Sequence, residues 1–202
     1  MQDGRAELTQ NELINITIEP GDDTETRINK TREGFSLFGE VFERMLPVYD
    51  GNTPYFQHLQ IQGRSCYILS QNRSGHLCGY AEISDEELYH APTYPPNSQD
   101  ADPDFNVHGG ITYTSKTLTG ATVKEYSSII GFDTTHSNDL PHPNSPAGIR
   151  EQEFTDNFKK THPTYESTST YKDEQYVLNE LINLTTQIDQ IHIQHKCKRP
   201  GE

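Results

Sequence analysis

Asp133-x-x-His136-x-x-Asp139 sets oxygen, nitrogen and oxygen donors at short intervals, and His108 supplies a second imidazole upstream. On a strand end or tight loop, such mixed donors can converge on one divalent ion. They suit Zn²⁺ or Mn²⁺ and leave a coordination position for water. A water acidified in this way can attack a phosphate ester while the ion neutralises charge developing on oxygen. Gly109 and Gly110, directly after His108, would let a ligand approach the backbone, and Thr112 could orient a ligand oxygen. His108, Asp133, His136 and Asp139 are therefore the candidate catalytic and metal-ligating residues. Gly109, Gly110 and Thr112 are the candidate ligand-binding residues.

The same residues support two plainer readings. Asp133, Ser137, Asn138 and Asp139 are good turn and cap formers, whose side chains can satisfy nearby backbone N–H groups. His108 and His136 can hydrogen-bond their neighbours and hold two strands in register. The nucleophile and phosphate signatures G-x-S-x-G, H-E-x-x-H and the Walker loop are absent. Cys78 paired with a histidine is a covalent alternative, disfavoured by its place inside a strand-like run.

Each end of the stretch 104–139 couples an apolar, β-branched run to this His/Asp/Gly cluster, which is how strands deliver side chains to a sheet edge. Val107–Thr114 reads as a strand beginning at the histidine, and Tyr126–Phe132 as its returning neighbour. Upstream, Gly63–Leu69 and His76–Ile83 flank the turn-rich Ser70-Gln71-Asn72-Arg73-Ser74-Gly75 and predict an antiparallel hairpin. His76, at the hairpin exit, reads as an ordinary polar strand-end residue. Ser84-Asp85-Glu86-Glu87 predicts a capping box and a brief helix, ended by Pro92, Pro95 and Pro96. The acidic tract 97–104 reads as a solvated loop, because it lacks the Gly and trailing Glu of an EF-hand. Val177, Leu181, Leu184, Ile188 and Ile191 alternate spacings of four and three and predict a long amphipathic C-terminal helix. Packing on the sheet is its main expected role. The heptad-like spacing also offers a homodimer seam.

The fold class expected is α+β: a central, mainly antiparallel sheet with the C-terminal helix across one face. Residues 1–58 read as a polar appendage with a strand at 13–18 and an amphipathic helix over 35–46. Residues 59–195 read as the core domain, including a long irregular insertion at 140–170, and 196–202 as a basic tail.

Whole-chain properties narrow the partners. The chain has 202 residues, 31% of them hydrophobic and a formal net charge of -14, with a mean hydropathy of -0.83. That charge repels a phosphate backbone and argues against general nucleic-acid binding, while local donors can still hold a small anion. No run approaches membrane-spanning length. Cys66, Cys78 and Cys197 form no C-x-x-C pair, and with no apolar leader at the N-terminus a reducing, cytoplasmic setting is expected.

In Leu77-Cys78-Gly79-Tyr80, His108-Gly109-Gly110-Ile111-Thr112, Gly131-Phe132-Asp133 through His136 to Asp139, and Tyr176-Val177, the sequence resembles a family of small, mostly uncharacterised bacteriophage and prophage proteins. The resemblance spans roughly residues 63–190 and leaves out the N-terminal segment and the 140–170 tract. Ile129-Ile130 stand where the pattern leads one to expect aromatics. The resemblance implies a phage-associated accessory role, in the host cytoplasm. Three function classes follow from the residues and the resemblance together. They are a metal-dependent phosphoesterase acting on a small phosphorylated or nucleotide-like molecule in counter-defence, a protein that sequesters such a molecule, and a protein-interaction factor with a structural His/Asp cluster.

Overall fold

The computed structural model describes residues 46–71, 74–94 and 102–196. The strand expected at 13–18 and all but the last residue of the helix expected over 35–46 lie outside them, as do Cys197 and the rest of the basic tail beyond Lys196. The compact unit that carries the sheet runs from Pro47 onward. Tyr49 and Tyr55, within the segment expected as an appendage, are buried in it.

The strands are β1 (Phe56–Ile61), β2 (Arg64–Ser70), β3 (Leu77–Ser84), β4 (Thr93–Tyr94), β5 (Asp102–Pro103), β6 (Tyr113–Ser115), β7 (Ser127–Asp133), β8 (Asp139–Leu140) and β9 (Thr170–Tyr171). The helices are α1 (Asp85–His90), α2 (Pro146–Thr161) and α3 (Glu174–Lys196). Five strands form the main sheet in the order β1-β2-β3-β7-β6, every neighbouring pair antiparallel. With α3 packed on it, the architecture is α+β as the periodicities require.

Residues directly opposed across an antiparallel pair share a face. Gly79 stands opposite Ile68 on one side and Phe132 on the other, and these three line the face against α3. A Cβ on Gly79 would lie 2.5 Å from the Phe132 ring and 3.1 Å from Val177. Glycine is what lets helix and sheet approach this closely. All five residues of the expected helical stripe, Val177 to Ile191, are buried within this one chain. That burial occupies the face on which the spacing also offers a homodimer seam.

The capping box on α1 is complete: the Ser84 hydroxyl accepts from the Glu87 N–H, and the Glu87 side chain accepts from the Ser84 N–H. Glu87 also pairs in bidentate fashion with Arg64, at 2.9 and 2.7 Å. Arg64 reaches Asp189 on α3 at 2.7 Å. One guanidinium thus ties β2, α1 and α3 together.

Two expectations are corrected. The run 107–112 is not a strand; only Tyr113–Ser115 pairs with β7. Gly109 and Gly110 both adopt positive φ, +69° and +81°, and a Gly110 N–H to Val107 carbonyl bond closes a turn. The chain bends where an extended strand was expected. The tract 140–170 is not irregular either, since α2 fills Pro146–Thr161. Ser145 caps it, accepting from the Gly148 N–H at 3.0 Å, and Pro146 occupies the first turn, where its missing N–H costs nothing.

Candidate functional site

The turn at 107–110 and the segment 134–139 meet beyond the C-terminal end of β7, beside α3. A ladder of polar side chains on that helix fixes the first of them. Glu180 accepts from the His108 N–H at 2.8 Å, Asn183 donates to the Asn106 carbonyl at 2.8 Å, and Gln187 accepts from the Asn106 N–H at 2.9 Å. Tyr176, Glu180, Asn183 and Gln187 repeat at spacings of four, three and four. They form a polar stripe with the same period as the apolar one.

His108 and Asp139 stand together as expected. His108 Nε2 lies 2.7 Å from Asp139 Oδ2, and His108 Nδ1 lies 2.8 Å from the Tyr176 hydroxyl. Asp139 Oδ2 also accepts from the His136 backbone N–H at 3.0 Å, and His136 Nδ1 is 3.3 Å from the same oxygen. Lys172 Nζ stands 3.8 Å from the other oxygen, Oδ1. The Asp139 side chain is only 2% exposed, against 39% for His136. Burial pushes the Asp139 carboxyl upward, but the His108 and His136 hydrogen bonds and the charges of His108 and Lys172 outweigh it and hold it below its ordinary range. A carboxylate so enclosed requires this density of donors.

Three residues offer ligand atoms that all lie within 4.8 Å of one another: His108, His136 and Asp139. Two imidazoles and one carboxylate are a suitable donor set for Zn²⁺ or Mn²⁺, and the exposure of His136 leaves an approach for water and substrate. The Tyr176 hydroxyl either donates to Nδ1 or accepts from it. Nε2 carries a proton where it donates to the Asp139 carboxylate, and would present its lone pair to an ion that took that proton's place.

Asp133 does not join them. Its Oδ2 accepts from the Thr112 hydroxyl at 2.7 Å, and its Oδ1 accepts from the Thr135 N–H at 3.0 Å and from the Thr135 hydroxyl. Burial raises its carboxyl, and the Thr135 and Thr112 hydrogen bonds more than reverse this. Asp133 and Thr112 are thus bonded to each other, and Asp133 is the turn former of the plainer reading. Gly109 packs directly beneath the His136 ring: a Cβ there would stand 1.9 Å from His136 Cε1. Gly110 has open space around it. His76 is buried and is not one of the three; burial lowers its pKa against a backbone hydrogen bond with Thr134 and the charges of Asp139 and Asp133. Tyr176, Lys172 and Glu180 were not among the sequence candidates. The polar stripe on α3 is the signal that points to two of them.

A cavity of about 320 Å³ lies between α2 and the β8–β9 ribbon, lined by Leu140, Gly148, Gln152, Thr155 and Tyr171 among others. Leu140 and Tyr171 are the strand neighbours of Asp139 and Lys172, so strand alternation turns them to the opposite side of the ribbon. Among the described residues, no helix is long and apolar enough to cross a membrane. No family model, curated protein or solved structure matches the chain.

Proposed function

We propose that the protein is a divalent-metal-dependent hydrolase of a small phosphorylated molecule, with His108, His136 and Asp139 holding the ion. The observation that carries this reading is the convergence of the three ligand atoms within 4.8 Å, with the Asp139 carboxylate 2% exposed and ringed by His108, His136 and Lys172. A bound Zn²⁺ or Mn²⁺ supplies Lewis acidity and a nucleophilic water at neutral pH. The chain's own residues orient and neutralise. Tyr176 fixes the His108 ring, Glu180 fixes its backbone, and Lys172 offers a cation for a phosphate oxygen beside the site. The resemblance to bacteriophage proteins puts cyclic and linear nucleotides first among substrates to test.

One observation favours a second reading, a metal-free Tyr176–His108–Asp139 proton relay. His108 Nε2 and Asp139 Oδ2 are in direct hydrogen-bond contact at 2.7 Å. Two ligands on one tetrahedral zinc stand about 3.3 Å apart, given bonds near 2.0–2.1 Å. The deciding measurement is metal content of the purified protein by plasma mass spectrometry, wild type beside His136→Ala, followed by hydrolysis assays on nucleotide phosphodiesters and phosphomonoesters. Near-stoichiometric zinc or manganese, lost in a folded His136→Ala, supports the metallohydrolase. No metal after reconstitution, with hydrolysis retained in chelator, supports the relay. Neither metal nor hydrolysis leaves a sequestering or interaction protein.

A further inference from the structure

We infer that the outer edge of β1, unpaired among the described residues, pairs with β1 of a second copy, giving a two-fold dimer with one continuous ten-stranded sheet. The two edges of the main sheet are β1 and β6, and they are built differently. The β6 edge is three residues long and is followed by Lys116, which pairs with Asp85. A short strand and a lysine are devices that keep an edge from recruiting another strand. β1 has neither. It is six residues, Phe56-Gln57-His58-Leu59-Gln60-Ile61, with no Lys, Arg, Asp, Glu, Pro or Gly. Among the described residues nothing pairs with its outer side.

Which backbone groups face outward follows from the β2 register. The Ser70 N–H donates to the Tyr55 carbonyl at 3.0 Å, so Tyr55 faces β2 and, by alternation, so do Gln57, Leu59 and Ile61. The N–H and C=O groups of Phe56, His58 and Gln60 therefore point away from the sheet. Antiparallel pairing of two such edges centred on His58 sets Phe56 opposite Gln60 of the second copy, and His58 opposite its own twin. All three outward pairs are satisfied at once.

This register makes the edge complementary to itself, so its occupant is a second copy. A chain with a net charge of -14 repels its own copies over most of its surface, and an uncharged strand is where two copies can meet without like-charge contact. A single edge contact of this length belongs to the weak, concentration-dependent class of interfaces.

The test is light-scattering mass across about 5–200 µM full-length protein, a range suited to micromolar association, with two variants. In His58→Lys, two lysines face each other across the dyad while the fold keeps every β1–β2 hydrogen bond. In His58→Cys, the twin residues form a hydrogen-bonded pair with Cα atoms about 5.5 Å apart, within disulfide reach. Mild oxidation by oxidised glutathione then traps a covalent dimer, which wild type under the same oxidation does not form. The expected result is a mass rising toward the dimer in wild type, a monomer in His58→Lys with an unchanged circular dichroism spectrum, and cross-linking in His58→Cys. A wild-type monomer throughout the range overturns the inference. So does a dimer indifferent to His58→Lys that fails to cross-link through His58→Cys.

Discussion

Substituting alanine separately at Gly109 and Gly110 separates backbone strain from loss of the site. Both glycines sit at positive φ, +69° and +81°, and an L-residue in that region costs roughly 1–2 kcal/mol. Each variant should lose about that much stability in urea unfolding. Their surroundings differ sharply. At Gly110 a Cβ meets nothing within 4 Å, whereas at Gly109 it would lie 1.9 Å from His136 Cε1 and 2.1 Å from Nε2. The His136 ring, 39% exposed, has room to swing away, and the contact it gives up is a partly solvated one of about 0–1 kcal/mol. The two variants should therefore agree in stability to within about 1 kcal/mol. They should disagree in metal affinity. Loss of an outer-shell partner alone costs about 10–100-fold, so removing one of three ligands should cost Gly109→Ala at least ~100-fold. Gly110→Ala should bind like wild type. Zn²⁺ titration against a chromophoric chelator reads this directly. Equal zinc affinity in wild type and Gly109→Ala, or equal loss in both variants, refutes the reasoning.

Tyr176→Phe removes the hydroxyl 2.8 Å from His108 Nδ1. It should cost about 0.5–1.5 kcal/mol of stability and about 10–100-fold in zinc affinity, measured by the same unfolding and titration. Burial pushes the Glu87 carboxyl up, but hydrogen bonds from Arg64 and Ser84 and the Arg64 charge bring it to about 2, below its ordinary 4.5. A depressed folded pKa means the native state binds fewer protons than the unfolded one, so this contribution is complete above about pH 4.5 and lost as pH falls toward 2. Urea midpoints should fall across that window in wild type and fall less steeply in Glu87→Gln. Gly79→Ala inserts a methyl 2.5 Å from Phe132 and 3.1 Å from Val177. Chemical denaturation should show the 1–3 kcal/mol loss typical of overpacking, about 2 kcal/mol here.

Legibility followed burial. The β2–β3 hairpin and α3 announced themselves because their apolar residues face one core, and a buried face imposes a period on the sequence. α2 did not, because little of it is buried: Gly148 is its one buried residue, while Ile149 and Phe154 are exposed. A helix with no buried stripe leaves no stripe to read, and its terminus signals, Ser145-Pro146 at the start and Lys159-Lys160 with Pro163 at the end, stand without one. The 107–112 misreading had the opposite cause. Val107, Ile111 and Tyr113 alternate like a strand, yet Gly109-Gly110 is a turn pair, and the turn won. The candidate site was half legible. His108, His136 and Asp139 were found by donor type, but spacing could not distinguish Asp139, which reaches across to His108, from Asp133, which closes on Thr112 and Thr135. Only the fold brings Tyr176 and Lys172 to them, since both come from the C-terminal part of the chain.

Under the proposed function, the global and local charges of this protein make opposite demands on a ligand, and together they limit its size. At physiological salt, charges separated by more than about 8 Å are largely screened, so an anion seated at the site responds chiefly to its immediate neighbours. Those neighbours are Lys172, His108 and His136, gathered around Asp139, with Glu180 engaged on the His108 N–H. A long polyanion would gain the same few contacts and then run across a surface with a net charge of -14, accumulating repulsion with every phosphate outside the site. A compact anion meets the donors and little else. The same argument makes Lys172 a useful discriminator within the site. Its ammonium, 3.8 Å from Asp139 Oδ1, competes with a bare metal ion for that carboxylate but cooperates with the ion in holding a phosphate. Bare-ion affinity and affinity for a phosphorylated ligand should therefore respond to its removal in opposite directions, which a purely structural His/Asp network would not produce.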